Sequence, residues 1–156
     1  MVCSRFCFLM NVYLNIGTNL GDRVANIERA ISEIEAAFGC TALRSDIVES
    51  EPWGFSSPNM FLNIGVLVRS SLAPEDILDA VKRIERKISP LSHRNPDGSY
   101  ADRIVDIDIM DIEGVVLDSP ALTVPHRHLH DRDFFLIPYN QLRALAAAGD
   151  AHKLNL

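Results

Sequence analysis

Cysteine is scarce in this chain and irregularly placed. Cys3, Cys7 and Cys40 are odd in number, and no Cys or His spacing around them suits a zinc site. That argues against a disulfide-stapled secreted fold and for a reduced, cytoplasmic setting. Basic excess is missing as well: 21 Asp and Glu outnumber 15 Lys and Arg, giving a net charge of −6. A general nucleic-acid or anionic-membrane binder would carry the opposite balance, so any anion site must be local. No apolar run reaches the roughly 20 residues of a membrane helix. No Pro/Gly/Ser-rich linker or acidic tail divides the chain, and 156 residues with 47% hydrophobic content suffice for one domain with a proper core. A phosphate-binding loop of the GxxxxGK type is lacking too, because Gly17 to Gly21 contains no Lys.

Met1 to Met10 is apolar with a single Arg, too short to span a membrane and without the long apolar region and cleavage site of a signal peptide. Met10 to Tyr13 reads as a natural start before the first strand. Residues 1–9 are therefore expected to be a dispensable extension, and residues 10–156 a single domain.

The elements alternate. Val12 to Ile16 predicts a strand, Gly17 to Gly21 a turn, and Asp22 the cap of a helix to Phe38 with Val24, Ile27, Ile31, Ile34 and Phe38 at helical spacing before Gly39. Leu43 to Glu51 and Phe61 to Ser70 predict two more strands. Pro74 opens a helix through Ile88, with Ile77, Leu78, Val81, Ile84 and Ile88 on one face. Ser89 to Asp102 reads as a loop, followed by a strand over 102–110 and a hairpin about Glu113-Gly114 to Val115–Leu117. A short last helix is expected near Asn140 to Ala148. The order β-α-β-β-α-β predicts an α+β, ferredoxin-like sandwich: two helices on one face of a mainly antiparallel sheet, the other face open, with a C-terminal extension.

Chemistry concentrates in Asp102-Arg103-Ile104-Val105-Asp106-Ile107-Asp108-Ile109-Met110. In a strand Asp106 and Asp108 share one face while Val105, Ile107 and Ile109 line the other. Carboxylates roughly 6.6–6.8 Å apart along the chain can hold Mg²⁺ that keeps positions for water and phosphates. A solvated sheet face gives the same pattern, although Asp is depleted in strands and like charges on one face repel. Pro125-His126-Arg127-His128-Leu129-His130-Asp131-Arg132 gathers imidazoles and guanidiniums with no amphipathic period, which suits phosphate oxygens gripped by His126 and Arg132. A solvated loop and a zinc site at His126, His128 and His130 are the alternatives; the latter lacks a Cys and a fixed second shell. Glu51-Pro52-Trp53-Gly54-Phe55 and Phe61-Leu62-Asn63 bring rings and an amide together, either to clamp a flat heterocycle or as a hydrophobic minicore.

In this order the motifs resemble the 6-hydroxymethyl-7,8-dihydropterin pyrophosphokinase family. The resemblance runs from Val12 to Arg23 through Glu51 to Gly54, Phe61 to Asn63, Ile84-Glu85, Asp102 to Met110, and Pro125-His126 with Arg132, Phe134 and Pro138. It implies a ferredoxin-like fold and Mg²⁺-dependent transfer of pyrophosphate from ATP to the pterin hydroxymethyl group, releasing AMP, in folate biosynthesis. Small-molecule substrates are implied, with no nucleic-acid or membrane partner. Asp106 and Asp108 match the ligands of two Mg²⁺ ions, and Arg103 a residue that neutralises phosphate charge. Ser50, Trp53, Phe61, Asn63 and Phe134 match the pterin pocket, with Phe61 and Phe134 stacking and Asn63 reading an edge. Lys82, Glu85, Ile109, Thr123, His126, Arg127 and Arg132 fall at ATP-contacting positions, Lys82 and Arg127 being substitutions.

The chain departs from the family after Ile84-Glu85, where a Gly-Arg pair and a lid Trp are replaced by Ser89-Pro90, a longer loop and Tyr100-Ala101-Asp102. Arg94 and Tyr100 are the expected stand-ins over the nucleotide. The C-terminus lacks the family's acidic, Pro-containing ending. Two other readings remain from sequence: a catalytically degenerate pterin or nucleotide binder, and a ferredoxin-like module for RNA or a small effector.

Overall fold

The computed structural model describes residues 8–154, with side chains through residue 150. Its elements are β1 (Met10–Thr18), α1 (Arg23–Phe38), β2 (Leu43–Ser50), β3 (Phe61–Ser70), α2 (Pro74–Ile88), β4 (Asp106–Ile112), β5 (Leu117–Asp118), β6 (Thr123–Val124) and α3 (Asp133–Leu154). The main sheet has the order β2-β3-β1-β4 with every neighbour antiparallel, the expected ferredoxin-like arrangement.

Helices α1 and α2 cover one face. Asp22 accepts from Ala25 N at 3.0 Å to start α1, and Gly39, at φ 65°, ends it in the left-handed conformation that glycine tolerates. Pro74 begins α2, with Glu75 and Asp76 in its first turn and Arg86 and Lys87 in its last, charges that suit the helix dipole. Ile27, Ile31 and Ile34 of α1 and Ile77, Val81, Ile84 and Ile88 of α2 meet Val12, Leu14, Ile16, Ile64, Val66, Ile107 and Ile109 in one core. Val24, expected on the apolar face of α1, is instead 54% exposed, since the helix's first turn extends beyond that core.

The other face is not open. Phe135, Tyr139 and Leu142 of α3 pack against Tyr13, Leu67 and Met110 of the sheet. The expected short helix at Asn140–Ala148 is the middle of a much longer one that starts at Asp133 and runs through Pro138. A proline there removes one intrahelical hydrogen bond, but close packing compensates: a Cβ at Gly65 would lie 2.8 Å from Pro138 Cβ and 2.9 Å from Leu142 Cδ1. The expected hairpin also differs. Glu113-Gly114 turns the chain, yet β5 pairs with β6 in a separate two-stranded sheet, and Met110 O accepts from His126 N at 2.8 Å. Strand β4 begins at Asp106 rather than at 102, because the Asp102 side chain is engaged by Asn19 and Asn59 and the Arg103 backbone by Asn19.

Residues 1–7 of the expected extension lie outside the described residues, and Phe8 and Leu9 are exposed. Among the described residues no helix is long and apolar enough to cross a membrane. Gly65→Val should lower stability by about 1–3 kcal/mol through overpacking against α3, read as a lower urea midpoint with an unchanged slope.

Candidate active site

Strand register builds the site. Asn15 lies opposite Asp108 and Gly17 opposite Asp106 across the β1–β4 ladder, while Gly17 also faces Asn63 on β3. Directly paired residues project to one face, so these side chains share the sheet face away from α1 and α2. Helix α3 covers one end of that face and leaves a cleft at the other.

The cleft comprises two cavities joined along a seam. The larger, about 470 Å³, is walled by Ser50, Trp53, Phe61, Asn63 and Phe134. Arg94, Tyr100, Arg103 and Arg132 also line it. The smaller, about 280 Å³, takes Lys82, Glu85, Ile109 and Thr123. Asp106, Asp108, His126 and Arg127, joined by His93, border both. Every site residue expected from sequence therefore lines one cavity or the other. Arg94 and Tyr100 stand on the aromatic cavity and not on the one holding Lys82 and Thr123. A β-bridge pairs them, the Arg94 guanidinium stacks 4.3 Å from the Tyr100 ring, and Tyr100 abuts Gly54 across the mouth.

In the aromatic cavity Asn63 donates through Nδ2 to Val48 O at 3.1 Å and Ser50 Oγ at 2.8 Å, which fixes its amide and turns Oδ1 towards Gly17. A Cβ at Gly17 would lie in contact with that oxygen and the Phe61 ring, at 3.4 and 3.6 Å. Trp53 stacks on Arg132, 3.8 Å from guanidinium carbon to ring centre, holding that cation at the rim.

Electrostatics converge on the seam. Burial and the neighbouring Asp106 carboxylate push the Asp108 carboxyl well above the usual range, with Arg132 opposing. A third of the Asp108 side chain faces the cleft, but the rest of its surroundings are protein. Glu85 is pushed up to about 7, chiefly by burial, although Ile107 N donates to Oε1 at 2.7 Å; the Asp106 charge adds to the rise. Burial, then the Arg132 charge, lowers His126 to about 4, so its ring is neutral at pH 7. His128 N donates to His126 Nδ1 at 3.1 Å, which assigns the ring proton to Nε2, 4.0 Å from Asp108 Oδ1. Asp106 is paired with Arg103 through Oδ2, and His93 Nδ1 lies 3.5 Å from Oδ1. Asp106 and Asp108 bring hard oxygen donors to the cleft, the donor type that suits Mg²⁺, although Arg103 already pairs with Asp106.

Arg103 is held from behind. Asn19 N donates to Arg103 O at 3.1 Å and Arg103 N to Asn19 Oδ1 at 2.7 Å. Asp102 accepts from Asn19 and Asn59, both at 2.7 Å. The clamp ties the turn after β1, the loop before β3 and the segment entering β4, leaving Arg103 8% exposed between Asp106 and the rings of Phe61, Phe55 and Tyr100.

The structure adds Asn15, His93 and Phe135 to the cleft, and places Phe55 of the ring-bearing motif there too. Alternation along β1 carries a signal for Asn15, which shares a parity with Tyr13 and Gly17. Phe55 follows the Trp53-Gly54 pair. His93 sits in an irregular loop, and nothing local in sequence marks it.

A carboxylate pair bordering both a cation-lined cavity and a ring-walled one is the arrangement of a transferase that brings an anionic donor to a flat acceptor. Residues 13–144 match the family described as 7,8-dihydro-6-hydroxymethylpterin-pyrophosphokinase, and the chain belongs to that family. It is 40% identical over 84% of its length to a 2-amino-4-hydroxy-6-hydroxymethyldihydropteridine pyrophosphokinase of Porphyromonas gingivalis, covering 89% of that protein. A protein of the same name from Aquifex aeolicus is 34% identical over 83% of the chain and 78% of its own length. The folic acid synthesis protein FOL1 of Dictyostelium discoideum is 31% identical over 84% of the chain, which spans 19% of that longer protein.

The raised Glu85 carboxyl gives a testable slope. Between its ordinary value of 4.5 and about 7 the folded state holds the proton more tightly than the unfolded chain, so stability falls as pH rises through that window. Glu85→Gln keeps an oxygen for Ile107 N and cannot ionise. In chelator its stability relative to wild type should climb across that window, reaching a gain of about 1–2 kcal/mol once solvent screening is allowed for, read from urea midpoints at each pH.

Proposed function

We propose that the chain transfers the pyrophosphoryl group of ATP to the hydroxymethyl oxygen of 6-hydroxymethyl-7,8-dihydropterin, releasing AMP, as a step of folate biosynthesis. The observation that carries this is the seam: Asp106, Asp108 and His126 border both cavities, so a chain of phosphates and an acceptor hydroxyl can meet there. The pterin would lie in the larger cavity, clamped by Phe61 and Phe134, bordered by Ser50 and Trp53 and read at its edge by Asn63. The nucleotide would occupy the smaller one against Ile109 and Thr123, with Glu85 and Lys82 alongside. Asp106 and Asp108 would hold two Mg²⁺ ions, which supply charge neutralisation and a template for the phosphate oxygens.

In the reaction the hydroxyl oxygen bonds to the β-phosphorus, the bond from that phosphorus to the oxygen bridging to the α-phosphorus breaks, AMP leaves and the hydroxyl proton passes to solvent. Such a transfer needs alignment and charge neutralisation more than a strong base. Arg103, Arg127 and Arg132 meet the negative charge, and the neutral His126 offers its Nε2 proton as a hydrogen-bond donor. Arg94 and Tyr100 close the mouth of the acceptor cavity. We place the reaction in the cytoplasm, with small molecules alone as partners. The assembled Arg103, Asp106, Asp108 and His126 favour catalysis over a degenerate binder.

Nucleotide analysis after incubation with ATP, Mg²⁺ and the pterin tests this. AMP should form only with pterin present and fall at least a hundredfold in Asp106→Asn. ADP as product, or no AMP despite pterin binding, would overturn it. Arg94→Ala and Tyr100→Ala should each reduce turnover or pterin affinity.

A further inference from the structure

We propose that Glu85, His93 and Asp106 form a binding site for a borderline transition ion, Zn²⁺ foremost, in which His93 supplies a nitrogen ligand and Asp106 is shared with the Mg²⁺ proposed above. The site itself stands on the geometry of the three side chains; its competition with Mg²⁺ rests on the reaction proposed above.

One ligand atom from each of the three side chains lies within 4.8 Å of the other two. Among the described residues no other three His, Cys, Asp or Glu side chains converge in this way, so a zinc site at His126, His128 and His130 is not formed. His93 Nδ1 stands 3.5 Å from Asp106 Oδ1. Two ligands of a tetrahedral ion with bonds of about 2.1 Å are themselves about 3.4 Å apart. The wider gap to Glu85 is one that a small side-chain rotation closes.

Three separate segments bring these groups together. Glu85 lies in the last turn of α2, Asp106 opens β4, and His93 belongs to the loop between them. Ala101 N donates to His93 O at 3.0 Å and Arg94 pairs with Tyr100 in a β-bridge, which pins residue 93 beside the entry to β4. Each carboxylate has one oxygen engaged from behind: Ile107 N donates to Glu85 Oε1 at 2.7 Å, and Arg103 pairs with Asp106 Oδ2. Outer contacts of this kind orient a carboxylate and leave its second oxygen for an ion. All three residues line the smaller cavity, and the His93 and Asp106 side chains are 28% and 23% exposed, so an ion has a way in.

The donor set selects the metal. One imidazole and two carboxylates suit Zn²⁺, which takes nitrogen and oxygen ligands and keeps a fourth position for water where the protein supplies three. Mg²⁺ favours an octahedron of oxygens and gains nothing from His93. Because Arg103 holds Asp106 Oδ2, an Mg²⁺ ion at Asp106 would draw on the same Oδ1 that faces His93, and the two ions exclude one another there.

The test titrates Zn²⁺ alone into the whole chain, without ATP or pterin, in competition with a chromophoric zinc indicator. His93→Ala and His93→Asn should each weaken binding by at least about tenfold, since losing a ligand costs no less than losing an outer contact. Glu85→Gln should weaken it as well, and because it lies on a different element the readout does not depend on one variant folding. Melting curves in chelator check that each is folded. Zinc held elsewhere on the chain is insensitive to these changes, so equal affinity in wild type and all three variants overturns the site. In the Mg²⁺-supported AMP assay, with free Zn²⁺ fixed by a chelator buffer, His93→Asn should need about tenfold more free Zn²⁺ than wild type for the same inhibition; inhibition at the same free Zn²⁺ overturns the competition. His93-dependent zinc binding in a wild type that forms no AMP supports the site and defeats the reaction, whereas AMP formation with no His93-dependent zinc binding defeats the site alone.

Discussion

The register of β1 between β3 and β4 is the constraint on which the rest depends. This strand is buried on both faces, with Val12, Leu14 and Ile16 turned to α1 and α2 and Tyr13, Asn15 and Gly17 turned to α3 and the cleft. A one-residue slip would exchange the two sets and drive Asn15 into an aliphatic core. The same pairing fixes β4, whose Ile107 and Ile109 must stay in that core; Asp106 and Asp108 are thereby held on the opposite side. Aliphatic packing in one layer thus aims the carboxylates in the other, at no cost to the core itself.

That aiming creates an electrostatic tension which the surroundings relieve only in part. In a chain with an acidic excess, Arg103 and Arg132 are brought beside the Asp pair, yet burial and mutual repulsion still hold the Asp108 carboxyl high. Burial, with the charges of Arg132 and Arg127, keeps His126 neutral, so it adds a directed N–H without adding charge.

Much of this was legible before any coordinates. Helix α1 carries both period and caps, α2 a period and an opening proline, and β3 is an unbroken β-forming run from Phe61 to Ser70; each ended where the sequence placed it. The alternation around Asp106 placed the acids and the core isoleucines on their correct faces. What failed was tertiary. The last helix was expected only from Asn140, whereas α3 starts at Asp133 and runs through Pro138, packed closely on Gly65. A turn at Glu113-Gly114 says nothing about where the following strand will pair, and β6 proved to be the partner. The Asp102 clamp joins residues far apart in sequence, so no local pattern announced that β4 would start late or that Arg103 would be buried.

The misread helix also shows how stability and function are coupled in this fold. Phe134 and Phe135 sit in the first turn of α3 with Arg132 immediately before it, and all three line the larger cavity. Their position is set by how the helix docks one to two turns later, where Pro138 and Leu142 close on Gly65, and where Tyr139 donates to Asp111 at 2.6 Å while its ring meets Tyr13 edge-on. The close contact permits no side chain at residue 65, so the helix cannot slide along the sheet without losing its fit. A rigid body anchored at its middle carries its first turn with it. The layer that closes the second core is therefore also the lever that holds Phe134 and Arg132 at the edge of the cleft.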